Sequence, residues 1–186
     1  MLTEDYIMRM INQALAVLMI ALGLKKSGRF SEALQSFDQA LESLLGLNAH
    51  LAKQLDDNQL LDILTFQEKL DLDRLLVLAE IYLEEAEVYT LLEQPDRSQL
   101  LSQSSLRLYL EAVLANETNV NIELIQKIEA LRLKLTASTL PVETSLALLD
   151  YLDRLLASGD DFLTANGLSR SDLLTAFSSL DSPDLQ

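Results

Sequence analysis

Cysteine is absent from the 186-residue chain, which excludes disulfides, thiolate metal sites and thiol catalysis. Tryptophan is absent too. Five Tyr and five Phe leave little material for stacking nucleobases. Three Pro and five Gly are too few turn residues for an all-β domain. Positive charge is also scarce, with 14 Lys plus Arg against 29 Asp plus Glu and a net charge of −15. Such a chain repels phosphate backbones and anionic membrane surfaces, so neither nucleic acid nor a membrane is an expected partner. The lack of Cys fits a reducing cytoplasm, the compartment expected here.

What the chain has instead is leucine, about a quarter of all residues, within an apolar share of 49%. An acidic chain that is also this apolar is too hydrophobic for disorder. The composition implies an all-α protein, one domain or two small ones, long enough to bury most of its apolar surface. The longest apolar run, Ala14–Leu24, falls short of the roughly 20 residues that span a bilayer. Glu4 and Asp5 stand where a signal peptide needs bases, and Lys25–Lys26 replace its cleavage site. A buried helix of a soluble protein is expected there.

Spacings of three and four between apolar residues recur along the chain and predict helices. The first starts at a Thr3 cap and ends at Ser27–Gly28. The second runs from Phe30 to Gly46, with Ala33, Leu34, Phe37, Ala40, Leu41, Leu44 and Leu45 on one side. From 47 to 70 the pattern breaks at Asp56, Asp57 and Asn58, which leaves room for one or two short helices. A long helix follows over Asp71–Glu93, stopped by Pro95. Asp96 and Gln99 resemble a capping box for the next, which reaches about Ala115. Asn116–Asn121 is the best internal boundary, and it sets two parts, 1–118 and 119–186. Helices are expected near 121–137, 141–157 and 170–179, with Pro141 in a first turn and Ser169 with Asp172 as a start. The end, from Ser178 to Gln186, should fray.

One segment occurs twice. Ala33, Phe37 and Ala40 recur as Ser105, Tyr109 and Ala112, so small, aromatic and small residues fall on one helix face in both copies. Small residues admit a neighbouring helix closely, and the ring fills the gap between them. With the Gly28 turn, the run from Gly28 to Leu41 resembles the second helix of a tetratricopeptide repeat. In the second copy Ser105 replaces alanine and Pro95–Asp96 replaces the glycine turn. The two units lie about 72 residues apart, roughly twice the usual period. More narrowly, the opening DYIMRMI with the LLGL turn resembles an uncharacterised family of bacterial tetratricopeptide-like proteins. The resemblance covers about residues 1–115. It implies antiparallel helical hairpins in a superhelix, with the C-terminal helices as a cap. It also implies peptide or protein binding on a concave face lined by the first helix of each hairpin. No catalytic residue carries over.

Motifs for chemistry fail on inspection. His50 is the sole histidine, with no nucleophile motif around it, and Leu47 stands where a helical di-iron site needs glutamate. Gly23 to Phe30 mimics half a phosphate loop, but Arg29 and Phe30 replace its lysine and hydroxyl. Asp160–Asp161 before Gly167 fails as a calcium loop, because Leu163 and Ala165 offer no side-chain oxygen. No catalytic, cofactor or metal residue is expected, and any enzyme chemistry would have to rest on carboxylates alone.

The negative charge is localised. Residues 1–55 are neutral, 56–93 carry −9 and 94–186 carry −6. Asp73, Glu80, Glu84 and Glu87 share one face of the long helix. By the tetratricopeptide analogy that helix is a first helix, so these carboxylates would line the groove and attract a basic peptide or a basic patch of a protein. A non-catalytic adaptor or regulator is the expected role. A structural homodimer is the alternative, because the first helix is apolar nearly all round and must be covered, by residues 121–179 or by a second subunit.

Overall fold

The computed structural model describes residues 2–116, 121–136 and 139–180. The protein is all-α. Among these residues are ten helices and one two-stranded hairpin. The chain divides into two compact units, Met1–Leu108 and Tyr109–Gln186. The division lies inside a helix. The 118/119 boundary expected from the sequence falls outside the described residues.

The first unit begins with α1 (Leu2–Lys26) and α2 (Phe30–Leu45). Helix α1 starts one residue before Thr3, so Thr3 lies in its first turn, not at the cap. Gly28 makes the turn at φ 75°, a left-handed conformation that costs side chains about 1–2 kcal/mol. The two helices pack closely together. Ile11, Ala14, Leu18 and Ala21 of α1 are buried, and Ala33, Phe37, Ala40, Leu41 and Leu44 of α2 are wholly enclosed. Alanines on both sides let the backbones approach, and Phe37 fills the space between Ala33 and Ala40. Burying such a ring contributes about 1.5–3 kcal/mol. Gly46 ends α2 at φ 67°, its N–H donating to the Glu42 carbonyl at 2.9 Å.

Residues 47–70 hold two short helices, as the broken pattern implies, and a hairpin that the pattern does not. Helix α3 (Ala49–Ala52) is capped by Asn48, whose side chain accepts from the His50 N–H at 3.0 Å. Helix α4 (Asp57–Ile63) opens with a reciprocal capping box. The Asp56 carboxylate accepts the Gln59 N–H at 2.8 Å, and the Gln59 side-chain oxygen accepts the Asp56 N–H at 3.0 Å. The Asp56–Asn58 run therefore starts a helix where the sequence read an interruption. Strands β1 (Thr65–Phe66) and β2 (Lys69–Leu70) then pair antiparallel. Gln67 and Glu68 between them both take positive φ, 49° and 62°. That is a two-residue turn of the type usually built from Asn-Gly.

Helix α5 (Leu72–Leu91) is capped by Asp71, whose side chain accepts from the Arg74 N–H at 3.1 Å. It packs against both α1 and α2. The sequence puts Leu72, Leu75, Leu76, Ala79, Tyr82, Leu83, Ala86, Tyr89 and Leu92 on one apolar stripe, but the buried arc is turned from it. Val77, Leu78, Ile81 and Val88 are buried, while Leu72, Leu76, Leu83, Tyr89 and Leu92 are only partly so. Helix α6 (Pro95–Ala115) follows. Pro95 is its first residue, so Asp96 lies inside the helix and does not occupy the expected cap position. Proline is well suited there because first-turn amides have no intrahelical acceptor. In the buried seam with α5, the Ser105 hydroxyl donates to the Ala79 carbonyl at 2.9 Å.

The second unit takes the end of α6 with α7 (Ile122–Lys134), α8 (Val142–Ala157), α9 (Asp160–Ala165) and α10 (Arg170–Leu180). Asn121 caps α7 through the Glu123 N–H. Pro141 precedes α8 at its cap position instead of entering the first turn. Helix α9 was not expected; it starts after Gly159 and buries Leu163. Tyr109, Ile125, Ile128, Tyr151 and Leu152 are enclosed in this unit, and α8 packs on α10. Ser178–Leu180 are helical and Leu180 is buried, against the expected fraying; residues 181–186 lie outside the described ones.

The two small–aromatic–small helices end alike. Arg74 donates to the Leu44 carbonyl from Nε at 3.1 Å and Nη2 at 2.9 Å. Arg154 donates to the Val113 and Asn116 carbonyls at 2.8 and 2.6 Å. Leu44 and Asn116 stand seven residues after Phe37 and Tyr109 respectively. In each case a later guanidinium donates to carbonyls at the helix end, at the negative end of the helix dipole.

Candidate functional site

The four carboxylates of α5 have unequal surroundings. Asp73, in the first turn, is exposed, and Glu80 is half-buried. Glu84 and Glu87 converge on one ammonium, Lys25 at the end of α1. Lys25 Nζ donates to Glu84 Oε2, and to Glu87 Oε2 at 2.7 Å. The Glu84 side chain is 16% exposed and that of Glu87 is 52% exposed. Burial works against the charged lysine, but the two carboxylates outweigh it and hold its pKa above the ordinary value. Part of the expected groove lining is therefore spent on tying α1 to α5. Two carboxylates against one ammonium still leave that contact net negative.

A second acidic position on α5 was missed. Glu85 is 1% exposed. Its Oε1 accepts from Lys53 Nζ at 2.6 Å, and the same ammonium lies 2.6 Å from Asp38 Oδ1 of α2. Glu85 Oε2 has no hydrogen-bond partner. Burial pushes the Glu85 carboxyl above the usual carboxylate range, against the opposing pull of Lys53. Lys53 follows α3 directly, so this contact pins the 47–70 segment to α2 and α5. The signal was present in the sequence: Leu78, Ile81, Tyr82 and Glu85 have spacings of three, one and three, which puts a glutamate on an apolar helix face.

Beside this contact lies an open cleft of about 510 Å³, within the usual range for ligand sites. Leu60, Tyr82 and Leu101 give it an apolar floor, while Lys53, Glu85 and Arg97 bring charge. The Arg97 guanidinium stacks 5.4 Å from the centre of the Tyr89 ring. A second cavity, of about 440 Å³, lies in the second unit between Glu129, Arg132, Leu133 and Asp172. There Arg132 pairs with Glu129 at 2.6 Å.

Comparison with protein-family models, with curated proteins and with solved structures finds no match. The chain's own geometry must carry any functional reading.

The remaining nominated positions are explained locally. His50 is exposed on α3, its Nε2 3.1 Å from the Gln54 side-chain nitrogen. The Gly23–Phe30 run is the end of α1 and the turn into α2, where Arg29 pairs with Glu32. Asp160 and Asp161 open α9, and Asp160 accepts from Arg170 at 2.5 Å. Among the described residues, no cluster of three or more His, Asp or Glu side chains could hold a metal. The first helix needs a correction. Measured on the helix and not on the unbroken apolar run, Asp5–Lys26 gives 22 residues, long and apolar enough to cross a bilayer. Only 22% of its most apolar 18 residues are buried; Leu15, Met19 and Ile20 are 40%, 68% and 60% exposed.

Proposed function

We propose that the chain is a non-catalytic binding module of tetratricopeptide-like build, and that the outer face of α5 receives a basic peptide or the basic patch of a protein. The observation that carries this reading is the residual negative charge of that face: Glu84 and Glu87 share the single Lys25 ammonium, and Asp73 stands exposed in the first turn. A field of this kind raises the local concentration of cationic partners and speeds their encounter. The contacts of α5 with both α1 and α2 favour the repeat reading, since the first helix of a repeat touches both helices of the one before it. On this reading residues 47–70 are an insertion between neighbouring repeats. A cytoplasmic adaptor or regulator is the role that fits.

The test is fluorescence anisotropy with a labelled Lys/Arg-rich peptide and an acidic control, at low and high salt. Binding of the basic peptide alone, weakened by salt, is the expected result. The double variant Asp73→Lys/Glu87→Lys should lose most of that binding. Asp73 lies outside the tie to α1, and Glu87 is the more exposed of the two partners of Lys25, so reversing these positions leaves Glu84 to hold α1. Equal binding by the variant and the parent would sink the reading.

A further inference from the structure

We propose that α1 is the interface of a symmetric antiparallel homodimer. The outward side of this helix carries Asp5, Met8, Asn12, Leu15, Ala16, Met19, Gly23 and Lys26, all exposed. Its middle is apolar, one end carries an acid and the other a base. A face so ordered complements itself when reversed, which is the requirement of a two-fold interface. With the axis beside Leu15 and Ala16, Asp5 meets Lys26 of the second copy and Met8 meets Gly23. Gly23 is open: a Cβ built there meets nothing within 4 Å, so a methionine can lie over it. Ala16 at the crossing admits the short interaxial distance at which helix side chains interlock. Asn12 then faces Met19, a lone polar residue in an apolar seam, which penalises other registers. Antiparallel pairing also sets the helix dipoles head to tail.

A bilayer is the rival occupant, given the length of the helix. Spanning one would strip α1 from α2, expose the partners of Ile11, Ala14, Leu18 and Ala21, and part Lys25 from Glu84 and Glu87. A second copy covers the same apolar face and leaves all of those contacts in place.

The experiment is light scattering and sedimentation equilibrium of the full chain over a concentration series, with co-sedimentation against phosphatidylcholine vesicles. The expected result is a dimer with no vesicle uptake. Ala16→Arg should give a monomer with an unchanged circular dichroism spectrum, because the residue is exposed. Asp5→Lys and Lys26→Asp should each weaken the dimer roughly tenfold, two symmetric ion pairs being lost, and the double charge swap should restore it. Three results overturn the proposal: a monomeric parent chain, a dimer indifferent to these variants, or vesicle binding by the parent.

Discussion

Replacing Lys53 by methionine tests the buried contact at the cleft. The substitution keeps an apolar stem and removes the ammonium that Glu85 and Asp38 share. Breaking a buried pair by deleting one partner costs roughly 3–5 kcal/mol. The Lys53 side chain is 30% exposed, so solvent screening cuts the loss to about 2 kcal/mol at neutral pH. The pH dependence gives the sharper test. The folded Glu85 carboxyl is held above its unfolded value. Its contribution to stability is therefore fully present below the ordinary carboxyl pKa and is lost as pH rises through the raised folded value. Without Lys53 the folded pKa rises further, so the variant gains more than the parent from acidification. The deficit of Lys53→Met should be largest at neutral pH and should shrink as the pH falls toward the ordinary carboxyl range. Adding Glu85→Gln should recover much of the loss at neutral pH, since no buried charge then lacks a partner. Urea unfolding followed by circular dichroism, at neutral and mildly acidic pH, measures all three chains. A deficit equal at both pH values, or no recovery in the double variant, would refute the assignment of Glu85 as a charged buried group held by Lys53.

Further expectations concern the repeat. Ser105→Ala should cost only about 0.5–1.5 kcal/mol, the net worth of its hydrogen bond to Ala79, whereas Ser105→Leu should add an overpacking penalty of roughly 1–3 kcal/mol; thermal melts separate the two. Phe37→Ala should destabilise the first unit by about 3–5 kcal/mol, read from urea unfolding. Arg154→Met should cost about 1–3 kcal/mol by leaving the Val113 and Asn116 carbonyls without that donor, visible as faster hydrogen exchange at the end of α6.

Where the sequence was legible, one rule was sufficient to predict the element. The α2 stripe, the Gly28 turn and the Gly46 stop each rest on a local preference that tertiary packing does not oppose. The hairpin at 65–70 was illegible for the opposite reason: Gln67 and Glu68 have little preference for positive φ, so surrounding structure imposes the turn. Capping was readable only in part. Asp56 and Gln59 have the same spacing as Asp96 and Gln99, yet only the first pair forms a box, because Pro95 takes the first helical position and moves the cap back to Gln94. Spacing alone cannot register which residue is first. The acidic face was legible as a face, but its division between an internal tie and open surface was not, since Lys25 lies 59 residues from Glu84.

Charge in this chain does two kinds of work, and α5 separates them by angle. Glu85 and, for the most part, Glu84 point at neighbours within the unit and are answered by Lys53 and Lys25. Asp73 points outward, and Glu87, half exposed, shares Lys25 with Glu84. The two lysines come from the segments flanking α5 in space, the end of α1 and the segment after α3, so each joins a leucine-packed helix at a defined register. Leucine contacts alone tolerate sliding, since one leucine replaces another at a cost of little more than imperfect packing. A carboxylate on an apolar face does not, because any slip that removes its lysine leaves a charge without compensation. In a chain that is about a quarter leucine, the buried ion pairs are therefore the part of the interface that selects one packing from many similar ones. Lys53→Met/Glu85→Leu provides the test: it should fold at least as stably as Lys53→Met alone, yet give broader side-chain methyl signals in NMR than the parent chain. Methyl signals as sharp as the parent's would mean that leucine packing sets the register unaided.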